Sequence, residues 1–194
     1  MGALVLITAP TAEPITLTEA KAQLRVTHTD DDTYITTLIT VVRKHVETVT
    51  NRSLINSTWD YFLDAFPKGD RIVIPLAALT SVTTLKYTDK DNATTTWGAS
   101  NYIVDIKNTP GQVVLAWNVT WPTTTLRPVN GIEIRFVAGY GSAATAVPEP
   151  IKQAMLLLIN HWYENREPLS ELNMSQIPDT VDALLWDYRV IQFT

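Results

Sequence analysis

The stretch 147–168, VPEPIKQAMLLLINHWYENREP, constrains this chain more than any other. Pro148 and Pro150 suit the first turn of a helix, where no N–H is needed, so the stretch predicts a helix over 149–165. Placed at 100° per residue, Ala154, Met155, Leu158 and Trp162 flank the direction of Ile151. Ile159, Tyr163 and Leu156 widen the apolar arc on one side, and Leu157 widens it on the other. Gln153, Asn160 and Glu164 keep only a narrow polar sector. A helix lying on the surface of a single molecule needs an apolar stripe of about 100° or a little more. This one must be the centre of the fold or pack on two sides, one of which can be another subunit.

Two more helices are legible near the N-terminus. Thr16 and Glu19 have capping-box spacing, which predicts a short helix over 17–25 with Leu17, Ala20 and Leu24 inward. Asp30, Asp31 and Asp32 then mark a helix start, because their charges favour the positive end of the dipole and one of them can cap. Ile35, Leu38, Ile39, Val42, Val46 and Val49 follow at spacings of three and four on one stripe, with Thr37, Lys44 and Thr48 opposite. Asn51 suits the C-cap, since Asn tolerates a left-handed backbone.

From Leu54 the period changes from 3.6 to two. Ile55, Ser57, Trp59, Tyr61 and Leu63 alternate with Asn56, Thr58, Asp60 and Phe62. RIVIP, SVTTLKYTD, NYIVDI, QVVLAW and GIEIRFVAGY read as further strands. Turn residues separate them: Pro67 to Asp70, Asp89 to Asn92, Gly98, Pro110-Gly111 and Arg127 to Gly131. A last short helix lies in PDTVDALLWDYRVIQFT, with Val181, Leu184, Leu185 and Tyr188 on one face. The expected fold class is α+β: a helical bundle of two N-terminal helices plus C-terminal helices, over 1–53 and 146–194. A mainly antiparallel β region over 54–145 is inserted into it. The opening GALVLIT reads as a short strand or extended arm; it lacks the positive flank of a signal peptide and the Ser or Thr of a myristoylation site.

Composition narrows the function. The chain has no Cys, which removes disulfides, thiol nucleophiles and Cys-ligated metal. Its formal charge is −5, with no basic cluster for gripping DNA phosphates. No run of 18 apolar residues exists, so no membrane span is expected. His161 and Glu164 lie three apart on one helix, but the di-iron pattern needs a reversed order and a second copy; with His28 and His45 they suggest no metal and no cofactor. Gly139-Tyr140-Gly141 is a lone G-x-G after a strand and reads as a strand exit. Asp60, Asp64, Asp105 and Glu133 could pair across strands for acid–base hydrolysis, yet nothing in their spacing selects a pair. Trp59, Trp97, Trp117 and Trp121 could form a carbohydrate-stacking platform, the alternative reading of the β region as a sugar-binding module. Aromatic residues more often pack cores and interfaces. The Asn-x-Ser/Thr sequons at Asn51, Asn56, Asn92, Asn118 and Asn173 are chance matches in a Thr-rich chain.

The order of LTEAKAQLRV, DDD, a helix end V-E-x-x-T-N-R, Trp59, IRFVAGYG and VPEPIKQAMLLLINHWYENRE resembles the head–tail connector (adaptor) proteins of long-tailed bacteriophages. More narrowly it resembles the branch with a β insertion between its helices. The similarity runs over 14–167 and is most specific over 147–167. It implies a structural protein without enzymatic activity, located in the virion at the head–tail interface and assembled in the host cytoplasm. It implies a homo-oligomeric ring, commonly of twelve subunits, beneath the portal protein. The ring extends the DNA channel, lets double-stranded DNA pass without sequence-specific binding, and receives a stopper or tail-completion protein. By the same resemblance the C-terminal segment, 181–194, docks into the portal. Leu185, Trp186, Tyr188, Arg189, Val190, Ile191 and Phe193 are the expected portal-binding residues. A closed ring also needs two different patches per subunit, and the wide arc places Leu156, Leu157, Ile159, Trp162 and Tyr163 at the expected subunit interface.

Overall fold

The computed structural model describes residues 2–165 and 179–190. Among these described residues there are four helices, α1 (Leu17–Leu24), α2 (Asp32–Thr50), α3 (Glu149–Glu164) and α4 (Asp179–Leu185). Eight strands accompany them: β1 (Ala3–Thr8), β2 (Ser57–Leu63), β3 (Arg71–Val73), β4 (Leu79–Thr88), β5 (Thr94–Trp97), β6 (Tyr102–Asp105), β7 (Gln112–Leu115) and β8 (Ile132–Ala138). The α+β class read from the sequence is the one observed.

The helix ends obey the local chemistry. Thr16 accepts the Glu19 N–H at 3.2 Å, and the Glu19 carboxylate accepts the Thr16 N–H at 2.7 Å, a complete capping box. The Thr16 hydroxyl, which donates to the same carboxylate at 2.7 Å, and the Thr16 N–H hold the Glu19 carboxyl below its ordinary pKa. Thr16→Ala is expected to cost about 1 kcal/mol, a fall in melting temperature of about 2–4 °C for a chain this size, read by thermal denaturation. Asn51 caps α2 with φ +56°. At the other end of α2, the N-cap Asp31 makes no capping bond. Its carboxylate instead accepts the Tyr163 hydroxyl, while Asp32 pairs with Lys21 at 2.6 Å. Asp31 and Asp32 therefore tie α2 to α3 and α1 as well as favouring the helix dipole.

Eight strands make two antiparallel sheets. The larger has the order β1-β2-β8-β4-β5 and the smaller β3-β7-β6. β2 and β8 pair in full register from Ser57↔Ala138 to Leu63↔Ile132. One apolar cluster lies between the sheets around Ile72, Leu85, Val113, Ile134 and Phe136. A second lies among the helices around Ile35, Val42, Ile151, Met155, Leu158 and Leu185. The N-terminal arm joins the larger sheet: Ala3–Thr8 lies along β2 and completes the sheet edge. Gly2 permits this close approach, since a Cβ there would meet the Tyr61 ring at 2.3 Å.

β5 is the strand the sequence analysis lacks. Thr94-Thr95-Thr96-Trp97 has no apolar alternation. Its pairing with β4 follows from the preceding turn, where the Asp89 carboxylate accepts the Asp91 and Ala93 N–H groups, each at 2.9 Å, and Asn92 takes φ +64°. The turn chemistry forces the chain back on itself.

Candidate assembly surfaces

The wide arc of α3 is met largely within the chain. α1, α2 and α4 all pack against this helix. Ile151, Ala154, Met155, Leu158 and Ile159 are each fully buried. Ile159, expected at a subunit interface, thus spends its whole surface on its own core. Leu156, Leu157, Trp162 and Tyr163 pack against the same core and stay half-exposed. The Trp162 ring meets the His45 ring edge-on, at 5.5 Å between centroids. Its carbonyl also accepts the Tyr34 hydroxyl at 3.4 Å. A wide apolar arc therefore does not by itself require a neighbouring copy; three helices of one chain supply most of the cover.

The C-terminal segment is anchored as far as Val190. Val181 and Leu185 are buried in the helical core. The Val190 N–H donates to the Thr50 carbonyl at 3.0 Å, and Asn51 Nδ2 donates to the Val190 carbonyl at 3.3 Å. Arg52 Nε donates to the Tyr188 carbonyl at 2.5 Å. Of the expected portal-binding residues, Leu185 and Val190 face inward. Tyr188 and Arg189 are half-buried, and Trp186 is 67% exposed. Arg189 lies over the Trp186 ring, 5.7 Å from its centroid, and pairs with Asp182 at 2.9 Å. Ile191 and Phe193 lie outside the described residues.

Sequence reasoning missed a buried ion cluster on α2. Arg43, only 8% exposed, donates to Glu13 at 2.7 Å and to Glu47 at 2.8 Å. Glu47 also accepts the Leu54 N–H at 2.9 Å, where the chain leaves the helix for the sheet. Burial nevertheless pushes the Glu47 carboxyl above its ordinary pKa. The available signal was an Arg and a Glu four residues apart at the edge of the apolar stripe.

The residues tested for catalysis serve structure. Asp60, 3% exposed, holds Arg135 through two bonds of 2.7 and 2.8 Å. Glu133 pairs with Lys86 at 3.2 Å, Asp64 accepts the Asn130 N–H at 2.8 Å, and Asp105 accepts the Lys107 N–H at 3.0 Å. A cleft of about 620 Å³ opens between the helical and β parts, lined by Leu6, Trp59, Lys44, Glu47, Ser53 and Ser57 among others. No histidine lines it. The Ser53 and Ser57 hydroxyls bond to each other at 2.7 Å, and Ser57 also accepts Trp59 Nε1. A serine without an adjacent base is a poor nucleophile. No group of three or more His, Asp or Glu among the described residues is placed to hold a metal, and no described helix is long and apolar enough to cross a membrane.

The tryptophans do not form an open platform. Trp97, Trp121 and Phe66 cluster with ring centroids 5.1–6.3 Å apart, Phe66 stacked on Trp121, and Trp97 stacks on Tyr102 at 5.8 Å. Trp117 stands apart at 96% exposed. What the geometry offers is contact surface around well-braced elements. A family model described as head completion protein matches residues 13–190.

The chain belongs to the head completion protein family.

That membership bears out the resemblance to phage head–tail connector proteins. The fold of this chain recurs in solved structures. A chain from the neck of an empty GTA particle, computed with C6 symmetry, is 23% identical with a TM-score of 0.82; the match covers 99% of this chain and 97% of that one. A chain from the virion of a native gene transfer agent (GTA) particle is 24% identical, TM-score 0.80, covering 98% and 97%. A third, from the neck of a native GTA particle computed with C12 symmetry, is 23% identical, TM-score 0.77, covering 99% and 97%. No curated protein matches the chain in sequence.

Proposed function

We propose that this chain is a structural component of the virion neck. In this reading twelve copies close into a ring beneath the portal, extend the DNA channel and receive a stopper or tail-completion protein. The observation that carries it is the family match over 13–190. The shared fold with neck chains computed under six- and twelve-fold symmetry supports the ring. The protein then acts by contact and carries out no reaction. Its net charge of −5 suits a channel through which DNA slides, because few cations are offered to the phosphates. The helical part, 1–53 and 146–194, forms the connector, with residues 3–8 lent to the inserted β region of 54–145.

In the same reading the portal contact lies on both sides of the anchor at Val190. Trp186, Tyr188, Arg189 and residues 191 and 193 supply the contact, and Leu185 and Val190 hold the segment to the body. Leu156, Leu157, Trp162 and Tyr163 offer their remaining surface to a neighbouring copy. Electron microscopy of the purified protein, alone and with portal, is expected to show closed rings. Deleting residues 191–194 is expected to weaken portal binding at least tenfold with an unchanged melting temperature. Equal portal affinity in the truncated chain would remove the docking assignment and leave the ring untouched.

A further inference from the structure

Among the described residues the larger sheet has two open edges, β1 and β5. β1 reads Ala-Leu-Val-Leu-Ile-Thr, with no charge, proline or glycine. No strand among the described residues pairs with its outer side. Val5, Leu6 and Ile7 are 44%, 44% and 45% exposed. Successive side chains point to opposite faces, so exposed apolar side chains stand on both faces of the strand beside the edge. Proteins blunt such edges with charges, proline or bulges, because an open apolar edge recruits another strand. The one irregularity here falls between Leu6 and Thr8 and leaves Ala3 to Leu6 regular. At the far edge β5 is also uncharged, and Thr94, Thr95 and Thr96 are exposed.

Strand direction decides how two copies can meet along these edges. Every neighbouring pair in the sheet is antiparallel. Four such steps separate β1 from β5, so the two edge strands run the same way. Neighbours in a closed ring share one polarity and differ by a rotation about the ring axis. Joining β5 of one copy to β1 of the next forms a parallel pair and keeps that polarity. Joining β1 to β1 of another copy across a two-fold axis forms an antiparallel pair and closes as a dimer. We infer that the outer edge of β1 docks a second copy of this chain through that copy's β5, so that the sheet continues from subunit to subunit. The inference rests on the ring reading above and specifies one of its contacts. Main-chain hydrogen bonds supply the attachment, and the side chains of Val5, Leu6 and Ile7 supply the fit.

The absence of cysteine makes the test clean. Val5→Cys or Ile7→Cys is combined with Thr94→Cys, Thr95→Cys or Thr96→Cys, in the free protein and in assembled particles. Under oxidation at least one double variant is expected to give a ladder from dimer to closed ring on a non-reducing gel, and each single variant none. Rings visible by microscopy with no ladder from any double variant would overturn the edge contact while sparing the ring. A dimer from Val5→Cys alone would overturn it in favour of two-fold pairing. Neither rings nor ladders would remove both readings. The variant carrying Val5→Lys and Ile7→Lys changes only exposed positions. It is expected to melt with the parent and to sediment as monomer; intact rings would refute the inference.

Discussion

Gly139→Ala lowers the melting temperature by roughly 6–12 °C, the largest effect expected of removing so little freedom from the chain. Gly139 ends β8 with φ +147°, a conformation that side chains rarely adopt. A Cβ there would lie 2.4 Å from the Asn56 nitrogen and 2.6 Å from the Ile55 carbonyl carbon. Both are backbone atoms and cannot rotate away. They belong to the strip where sheet and helices are stitched together: the Asn56 N–H donates to the Gly141 carbonyl at 2.9 Å, and the Tyr140 N–H to the Leu54 carbonyl at 3.2 Å. Gly139 itself donates to the Ala78 carbonyl at 2.9 Å and accepts the Thr80 hydroxyl at 3.0 Å. Strain of this kind costs about 1–3 kcal/mol before the clash is counted, which puts the total near 3 kcal/mol or above. Gly69→Ala is the control, because a Cβ there meets nothing within 4 Å; its change should stay within about 0.5 kcal/mol. Equal melting of the two variants would refute the argument.

Arg43→Met is expected to cost about 3 kcal/mol at neutral pH, the low end for breaking a buried pair, because it leaves the part-buried Glu13 and Glu47 carboxylates without their cation. The size of the loss should depend on pH in a definite direction. Burial holds the folded-state pKa of Glu47 above its ordinary 4.5, against the opposing pull of the Leu54 N–H and Arg43. A carboxyl raised on folding contributes stability that is full below 4.5 and lost as pH rises through the folded value. Without Arg43 that value rises further. The deficit of the variant against the parent should therefore be greatest at pH 7 and shrink on acidification as Glu47 takes up a proton. Adding Glu47→Gln to Arg43→Met should recover part of the loss at pH 7 and flatten the pH dependence. Melting curves of the three proteins from pH 7 to pH 4 decide the matter. A deficit constant across that range would show that Arg43 contributes packing alone.

Much of the architecture was legible because it rests on local chemistry. The stripe from Ile35 to Val49 and the Asn51 cap each follow from residues within a few turns of one another. So do the capping box at Thr16 and the change of period at Leu54. The same holds for the strand exit at Gly139. What was not legible depended on which distant surfaces meet. Thr94–Trp97 carries no strand pattern and became β5 through its turn and the neighbouring β4. Arg43 reads as a surface charge until Glu13, thirty residues earlier, is brought beside it. Asp60 reads as a candidate acid until Arg135 is seen opposite it in the sheet.

The helix at 149–164 shows where the division falls. Its sequence determined that it is helical, that it starts at paired prolines and that more than half its circumference must leave water. Those properties follow from backbone geometry and side-chain polarity, which each residue carries with it. Which surfaces would cover the arc was decided only in three dimensions, when α1, α2 and α4 closed over it and enclosed Ile159. Apolar burial is non-directional, so a sequence can state how much surface must be hidden without stating against what.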